Sequence, residues 1–341
     1  MKILIAEFAV GTDVEKSLIP EGAAMLKTLI ESFARLGHEV YYPAASIKLC
    51  KGTALKSTAT NFEKIIEQKS KECDAGLIIA PDHLLPGLNK ILEENTENLG
   101  CSPESAAWCA DKLLCTRILK KAGIKTPDIV RETEESEKYI IKPRFGCGAE
   151  ATALISGLKD KKLENFRFEN SKSEANNELI ATEYIEGEHL SVSLIAGQKS
   201  LPLTVNRQFI EFGIKKDRAF GKKGDQTGGR EIEDSCLKYN GSLTPYQTPR
   251  KEELYETAIS TAKYLKCFGY VGIDIVLSDF PYVVDVNPRP TASLFGISQI
   301  MQEEIGDLLL KNKFGQLPDS VHLKGEYCFS KEKLNEISGE N

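Results

Sequence analysis

The sequence has no long hydrophobic run. Its most apolar stretches, such as Gly76-Leu77-Ile78-Ile79-Ala80-Pro81, fall far short of the roughly 20 residues that cross a bilayer. It has no excess of positive charge. Its 44 Lys and Arg against 50 Asp and Glu give a formal net charge of −6, which disfavours non-specific nucleic-acid binding. No CxxC pair and no Cys/His cluster occurs, so a zinc site is disfavoured. The nine cysteines are scattered singly. Their odd number, and the acid Glu7 that interrupts the first apolar run before a signal-peptide core could form, point to free thiols in a reducing cytoplasm. GxGxxG is missing after the first apolar segment, where Glu7-Phe8-Ala9-Val10-Gly11 stands. That argues against a nicotinamide-dinucleotide fold there. No GKS or GKT makes a Walker loop, and no internal repeat or low-complexity tract is present.

What is there is an ordinary globular balance, with 41% hydrophobic and 28% charged residues. At about 150 residues per domain, the length suggests two or three domains. Lys2 to Ile5 is a short apolar run expected to form a buried parallel strand. Ala24 to Leu36 has helical spacing and ends at Gly37. His38 to Tyr42, Phe62 to Gln68 and Cys73 to Pro81 then read as strand, helix and strand, a small doubly wound α/β unit. A helical stretch is expected from Ser102 to Lys121. Tyr139 to Pro143 and Leu179 to Ile185 read as strands. The alternation of Leu190 to Ile195 predicts a half-exposed antiparallel strand. Residues 211–230 read as a mobile loop, and Glu252 to Leu265 as an amphipathic helix. Tyr270 to Leu277 and Phe280 to Val286 form a strand pair around Ser278-Asp279, and a last helix is expected from about Ser298 to Leu310.

Three constellations carry chemistry. In Gly272-Ile273-Asp274-Ile275-Val276 and Val284-Asp285-Val286-Asn287-Pro288-Arg289, two carboxylates sit inside apolar strands. Asp285 and Asn287, two apart, share a face, and the short turn would lay Asp274 beside them. Facing carboxylates in an apolar wall need a cation, and oxygen-only donors favour Mg²⁺ or Mn²⁺. The second constellation is Lys142 at a strand end, followed by a loop with Gly146 and Gly148, a combination suited to polyphosphate. The third is Glu183-Tyr184-Ile185-Glu186-Gly187-Glu188-His189, where a strand breaks and exposes backbone able to bond a purine edge. Asp111-Lys112 opens a helix and adds a second candidate phosphate contact. Taken singly, each has a plainer explanation: Asp285 capping a turn, the glycine loop a hairpin, the acidic turn merely solvated, Lys112 on a solvated helix face.

The order of these signals resembles the ATP-grasp superfamily from about Pro103 to Ile300, and the preceding unit resembles the pre-ATP-grasp domain. The resemblance implies a doubly wound α/β domain over 1–102. It then implies the two-subdomain α+β ATP-grasp fold, with a lid subdomain carrying the phosphate loop over 103–182 and a large subdomain with the metal site over 183–341. It implies ATP with Mg²⁺ or Mn²⁺ held at Asp274, Asp285 and Asn287, although Asp285 stands where most members carry Glu. Lys112, Lys142, Gly146 and Gly148 would hold phosphates, Glu183, Tyr184 and Ile185 the adenine, and His189 (with Glu188 as alternative) the ribose. Arg289 and Arg207 would meet the acidic substrate. The implied activity is ATP-dependent amide formation through an acyl phosphate. Shorter motifs, Glu7-Phe8-Ala9, Pro20-Glu21-Gly22-Ala23-Ala24-Met25-Leu26, Val205-Asn206-Arg207-Gln208 and Tyr239-Asn240-Gly241, are similar to an archaeal branch that joins tyramine to glutamate in methanofuran biosynthesis. The partners implied are a small carboxylate and a small amine, with no nucleic acid and no membrane, in a cytoplasmic protein for which a homodimer is one compatible assembly. The rival expectations are an ATP-grasp ligase joining two amino acids and a non-catalytic ATP-binding module.

Overall fold

The computed structural model describes residues 1–130, 138–146, 152–156, 178–214 and 235–339. In chain order the first unit contains β1 (Lys2–Glu7), α1 (Phe8–Thr12), α2 (Ile19–Arg35), β2 (Glu39–Ala44), β3 (Thr53–Lys56), α3 (Phe62–Ser70), β4 (Ala75–Ile79), α4 (Leu85–Glu93) and β5 (Glu97–Asn98). All its strand pairs are parallel, in the order β3-β2-β1-β4-β5. Five of the six β1 residues and all of β4 are buried, as expected of strands covered on both faces. The direction of winding reverses between β1 and β4. The crevice outside the carboxyl ends of two such strands is where doubly wound sheets take ligands. Glu7 ends β1, and Asp82 follows β4 within three residues.

The rest of the chain runs α5 (Pro103–Ala110), α6 (Lys112–Lys121), β6 (Ile129–Val130), β7 (Lys138–Pro143), β8 (Ala153–Ser156), β9 (Leu179–Glu183), β10 (Glu188–Ala196), β11 (Leu201–Ile214), β12 (Ser235–Thr244), α7 (Lys251–Tyr264), β13 (Gly269–Leu277), β14 (Pro281–Asn287), α8 (Ser293–Ile300), α9 (Ile305–Phe314), β15 (Tyr327–Ser330) and α10 (Lys331–Gly339). Its strands join one sheet in the order β14-β13-β10-β11-β12-β8-β7-β9-β6, with β15 added to β12. The pairs within it are antiparallel.

The two sheets share their cores. Leu4 and Ala6, on one face of β1, belong to a cluster with Val192, Ile273 and Val286. Ile3 and Ile5, on the other face, join Leu26 and Leu29 of α2, Ile195, Tyr270 and Leu294. The alternation of a strand thus ties the first sheet to the second through both faces.

Three expectations are corrected. The stretch 102–121 holds two helices, the second opening at Asp111-Lys112 as expected, with Asp111 at φ −86°, ψ 94° as its cap; residues 211–214, expected in a mobile loop, instead continue strand β11, because Phe212 and its neighbours pair with β12. The expected last helix near 298–310 is also two, α8 and α9, with Met301 extended at ψ 134° between them. Strand β10 is not half-exposed: from Leu190 to Ala196 it is buried throughout. Its serines are satisfied rather than solvated. Asn206 donates to Ser191 and Ser193, and Ser193 and the Tyr270 hydroxyl lie 2.9 Å apart. A buried polar face that is fully hydrogen-bonded carries the same alternating pattern as a wet one.

Candidate functional site

Strands β13 and β14 place Asp274 directly opposite Asp285 in the antiparallel register, with Gly272 opposite Asn287. Gln208 donates to Asp274 Oδ1 at 2.9 Å, and Asn287 Nδ2 approaches Asp274 Oδ2 at 3.3 Å. Lys112, the first residue of α6, reaches across to Asp285 Oδ1 at 2.9 Å and to the Gly146 carbonyl at 2.9 Å. Lys142, on β7, donates to the Val284 carbonyl at 2.9 Å. Two lysines from the middle of the chain therefore meet two aspartates from its late hairpin.

The electrostatics follow from burial. Burial and the charge of Asp285 push the Asp274 carboxyl up to about 7. Burial also acts on Asp285, but Lys112 and Lys142 outweigh it and hold that carboxyl below its ordinary value. Burial draws Lys142 down to about 8, against the pull of Asp285.

One cavity, of about 230 Å³, collects these groups. Lys112, Lys142, Asp274, Asp285, Asn287 and Arg289 line its reactive part. Glu183, Tyr184, Ile185 and His189 line the other end, with Ile140, Phe212 and Val276 as apolar walls. Close packing makes the bend after β9: a side chain on Gly187 would collide with the Leu277 carbonyl, so this turn requires glycine. The Glu183 carboxylate accepts from the Asp128 backbone at 3.0 Å. His189 lies 6.2 Å from the Phe212 ring, and burial lowers its pKa.

A family model described as the ATP-grasp domain matches residues 109–293. The chain belongs to the ATP-grasp family. It is 30% identical to a tyramine–L-glutamate ligase of Methanocaldococcus fervens, over 91% of this chain and 93% of that one. It is 27% identical to a D-alanine–D-alanine ligase A of Clostridium perfringens, over 62% of this chain and 71% of that one. The crystal structure of a putative ATP-grasp superfamily protein from Archaeoglobus fulgidus matches with TM-score 0.71 at 29% identity, covering 96% of this chain and 91% of that chain. The α/β and α+β architecture is that of the ATP-grasp fold, and the family binds ATP with magnesium.

The ATP-grasp donor set fits such a cation. Two facing carboxylates and an amide oxygen are hard oxygen donors, and they meet in a buried pair, Asp274 opposite Asp285 with Asn287 Nδ2 3.3 Å from Asp274. Most of the residues singled out from sequence converge on the cavity: Lys112, Lys142, Gly146, Glu183, Tyr184, Ile185, His189, Asp274, Asp285, Asn287 and Arg289 all line it. Glu188, the alternative to His189, does not. It is exposed and accepts from the Tyr246 hydroxyl at 2.9 Å. Gly148, Cys147 and residues 215–230 of the expected loop lie outside the described residues.

Arg207 is a correction. It does not line the cavity; it is exposed, with its guanidinium 5.5 Å from the Tyr246 ring centroid. The next residue, Gln208, lines the cavity and holds Asp274. Neighbouring side chains on a strand face opposite ways, so Arg207 is turned from the site.

Sequence reasoning missed two arginine partners. Asp82, 1% exposed, accepts from Arg289 Nε at 3.2 Å, and its Oδ2 is buried without a hydrogen bond. Asp111 caps α6 by accepting from Leu113 and Leu114 and also takes a two-pronged contact from Arg144, at 2.7 and 2.5 Å. Asp82 follows Ala80-Pro81 at the end of a buried strand of a doubly wound unit, which was the available signal. Nothing in the sequence paired Arg144 with Asp111.

Among the described residues, no helix is long and apolar enough to cross a membrane.

Proposed function

We propose that this protein is an ATP-dependent carboxylate–amine ligase that joins tyramine to the γ-carboxyl of L-glutamate, releasing ADP and phosphate. The observation that carries the reading is the meeting of Lys112 and Lys142 with the Asp274–Asp285 pair in the cavity that Arg289 also lines. In this reading residues 1–102 form the pre-ATP-grasp domain, 103–182 the lid and 183–341 the large subdomain. The protein works in the cytoplasm, within methanofuran biosynthesis.

Asp274, Asp285 and Asn287 would hold Mg²⁺, or Mn²⁺ with the same oxygen donors. Such a cation supplies Lewis-acid neutralisation of phosphate charge. Glu183, Tyr184 and Ile185 receive adenine at the apolar end and His189 the ribose, while Gly146 flanks the phosphates. Lys112 and Lys142 set positive charge against the transferring phosphoryl group, where fixed electrostatics give most of the rate. Arg289, steadied by Asp82, binds the substrate carboxylate. An oxygen of that carboxylate attacks the γ-phosphorus, the bond to the ADP oxygen breaks, and an acyl phosphate forms. The amine nitrogen then attacks the acyl carbon, loses a proton, and phosphate leaves.

The test is phosphate release from ATP with Mg²⁺ and glutamate, adding candidate amines one at a time, with the amide identified by mass spectrometry. Tyramine is expected to give release well above background. Release with another amine alone would overturn the substrate pair, and release with none would overturn the ligase reading.

A further inference from the structure

Among the described residues, four carboxylates line the cavity: Glu21, Glu183, Asp274 and Asp285. Three already have defined company. Glu183 holds the Asp128 backbone, and the two aspartates sit in the cluster with Gln208, Asn287 and Lys112. Glu21 comes from the first unit, in the opening turn of α2. Its ion pair is to Lys331 of the C-terminal helix at 3.3 Å, and that lysine side chain is 44% exposed. A single-pronged, partly solvated pair of this kind contributes little, so a ligand ammonium can replace it at small cost.

The surroundings of Glu21 fit the rest of such a ligand. Met25, one helical turn further on, lines the same cavity. Tyr239 of β12 lines it too, with its hydroxyl spent on Ser242 at 2.9 Å. Ala292, three residues after Arg289, completes the apolar wall. Helix α2 packs on α8, which begins four residues after Arg289, so Glu21 comes from an element next to the reactive side of the cavity. Behind this wall, β15 pairs with β12, and α10 packs on α2.

We propose that Glu21 is the carboxylate that receives the ammonium group of the amine substrate, whose carbon body lies against Met25, Tyr239 and Ala292. The proposal rests on the ligase reading and deepens it. It assigns the amine end of the cavity to a primary alkylammonium, opposite in charge to the substrate that Arg289 takes. Lys331 occupies the carboxylate between turnovers and has no part in binding the amine.

The test compares wild type, Glu21→Gln and Lys331→Met in two assays. One follows amide formation with tyramine. The other replaces tyramine by hydroxylamine, a neutral nucleophile that reports acyl phosphate as hydroxamate. Glu21→Gln is expected to raise the KM for tyramine at least tenfold more than it raises the KM for glutamate in the hydroxylamine assay. Lys331→Met is expected to leave the tyramine KM within twofold of wild type. An unchanged tyramine KM in Glu21→Gln would overturn the assignment. So would a Lys331→Met variant that reproduces the Glu21→Gln defect, because Glu21 would then act only as a clamp between two helices. A wild type that makes neither hydroxamate nor amide overturns the ligase reading itself, an outcome visible before any variant is compared.

Discussion

Lys142 shows how one buried charge can be both a burden and the working part of a site. Burial, with the nearby charge of Lys112, lowers its pKa to about 8 against the pull of Asp285, a sign that the surroundings do not fully stabilise the ammonium. An incoming polyphosphate would supply the missing negative charge. Lys142→Ala should therefore cost about 3 kcal/mol of transition-state stabilisation, a hundredfold or more in kcat, by analogy with removing one oxyanion donor. Steady-state kinetics with saturating ATP checks this, and a kcat within threefold of wild type would contradict it. Asp82 works at one remove, through Arg289. Hydrogen bonds to charged groups contribute about 2 kcal/mol, so Asp82→Asn should lower kcat/KM for the carboxylate substrate roughly thirtyfold. The fall should lie mainly in the KM for that substrate, with the KM for ATP little moved. An equal rise in both would mean that Asp82 supports the fold in general rather than the aim of one arginine.

At the scale of elements, α6 matters because Lys112 is its first residue. Asp111 fixes where that helix starts, by accepting from Leu113 and Leu114, and fixes Arg144 through two further contacts. An N-terminal cap contributes about 1 kcal/mol, and the contact to Arg144 is separable from it. Asp111→Ala should lower unfolding free energy by about 2 kcal/mol, and Asp111→Asn, which keeps a capping oxygen, by about half of that. Urea denaturation of both variants measures the difference, and equal losses would show that capping contributes nothing here. Asp111 was legible as the start of a helix, but its contact to Arg144 was not, because a pairing 33 residues apart leaves no periodic trace. The hairpin of β13 and β14 was legible because apolar runs on both sides of a short turn favour a register that buries them, although the shift in register after Asp274 was not. Strand β10 misled because hydrogen-bonded buried serines and solvated ones alternate alike. Helix α4 and the pair β15–α10 went unseen, being short and placed by tertiary packing rather than by pattern. The eleven lining residues singled out from sequence were legible because they stand in short motifs whose order along the chain is itself informative, whereas the apolar walls carried no such signal. The Asp82–Arg289 pair, 207 residues apart, could emerge only when the two sheets were seen to share their cores.

The whole molecule is held together where the first sheet meets the second, and that junction carries a titratable group with a predictable effect on stability. Glu7 ends β1, is 4% exposed, and accepts from the Val10 backbone at 2.7 Å. Gly22 of α2 lies so close that a side chain there would fall 2.6 Å from the Glu7 carboxylate oxygens. Burial pushes this carboxyl from 4.5 up to about 7, although the Val10 and Ala9 backbone and the charge of Arg289 pull it back. The folded protein therefore holds a proton on Glu7 that the unfolded chain has already lost. A raised folded-state value means the favourable contribution is complete below pH 4.5 and disappears as the pH rises through about 7. A shift of this size corresponds to roughly 3 kcal/mol. Glu7→Gln keeps a hydrogen-bond acceptor for Val10 but has no proton to lose. Between pH 4.5 and 7 its unfolding free energy should fall less steeply than that of wild type, and at pH 8 it should be the more stable of the two. Denaturant titrations at a series of pH values measure both slopes. Parallel curves would show that the carboxyl is solvated when ionised, and that the junction of the two sheets opens to water more readily than its packing implies.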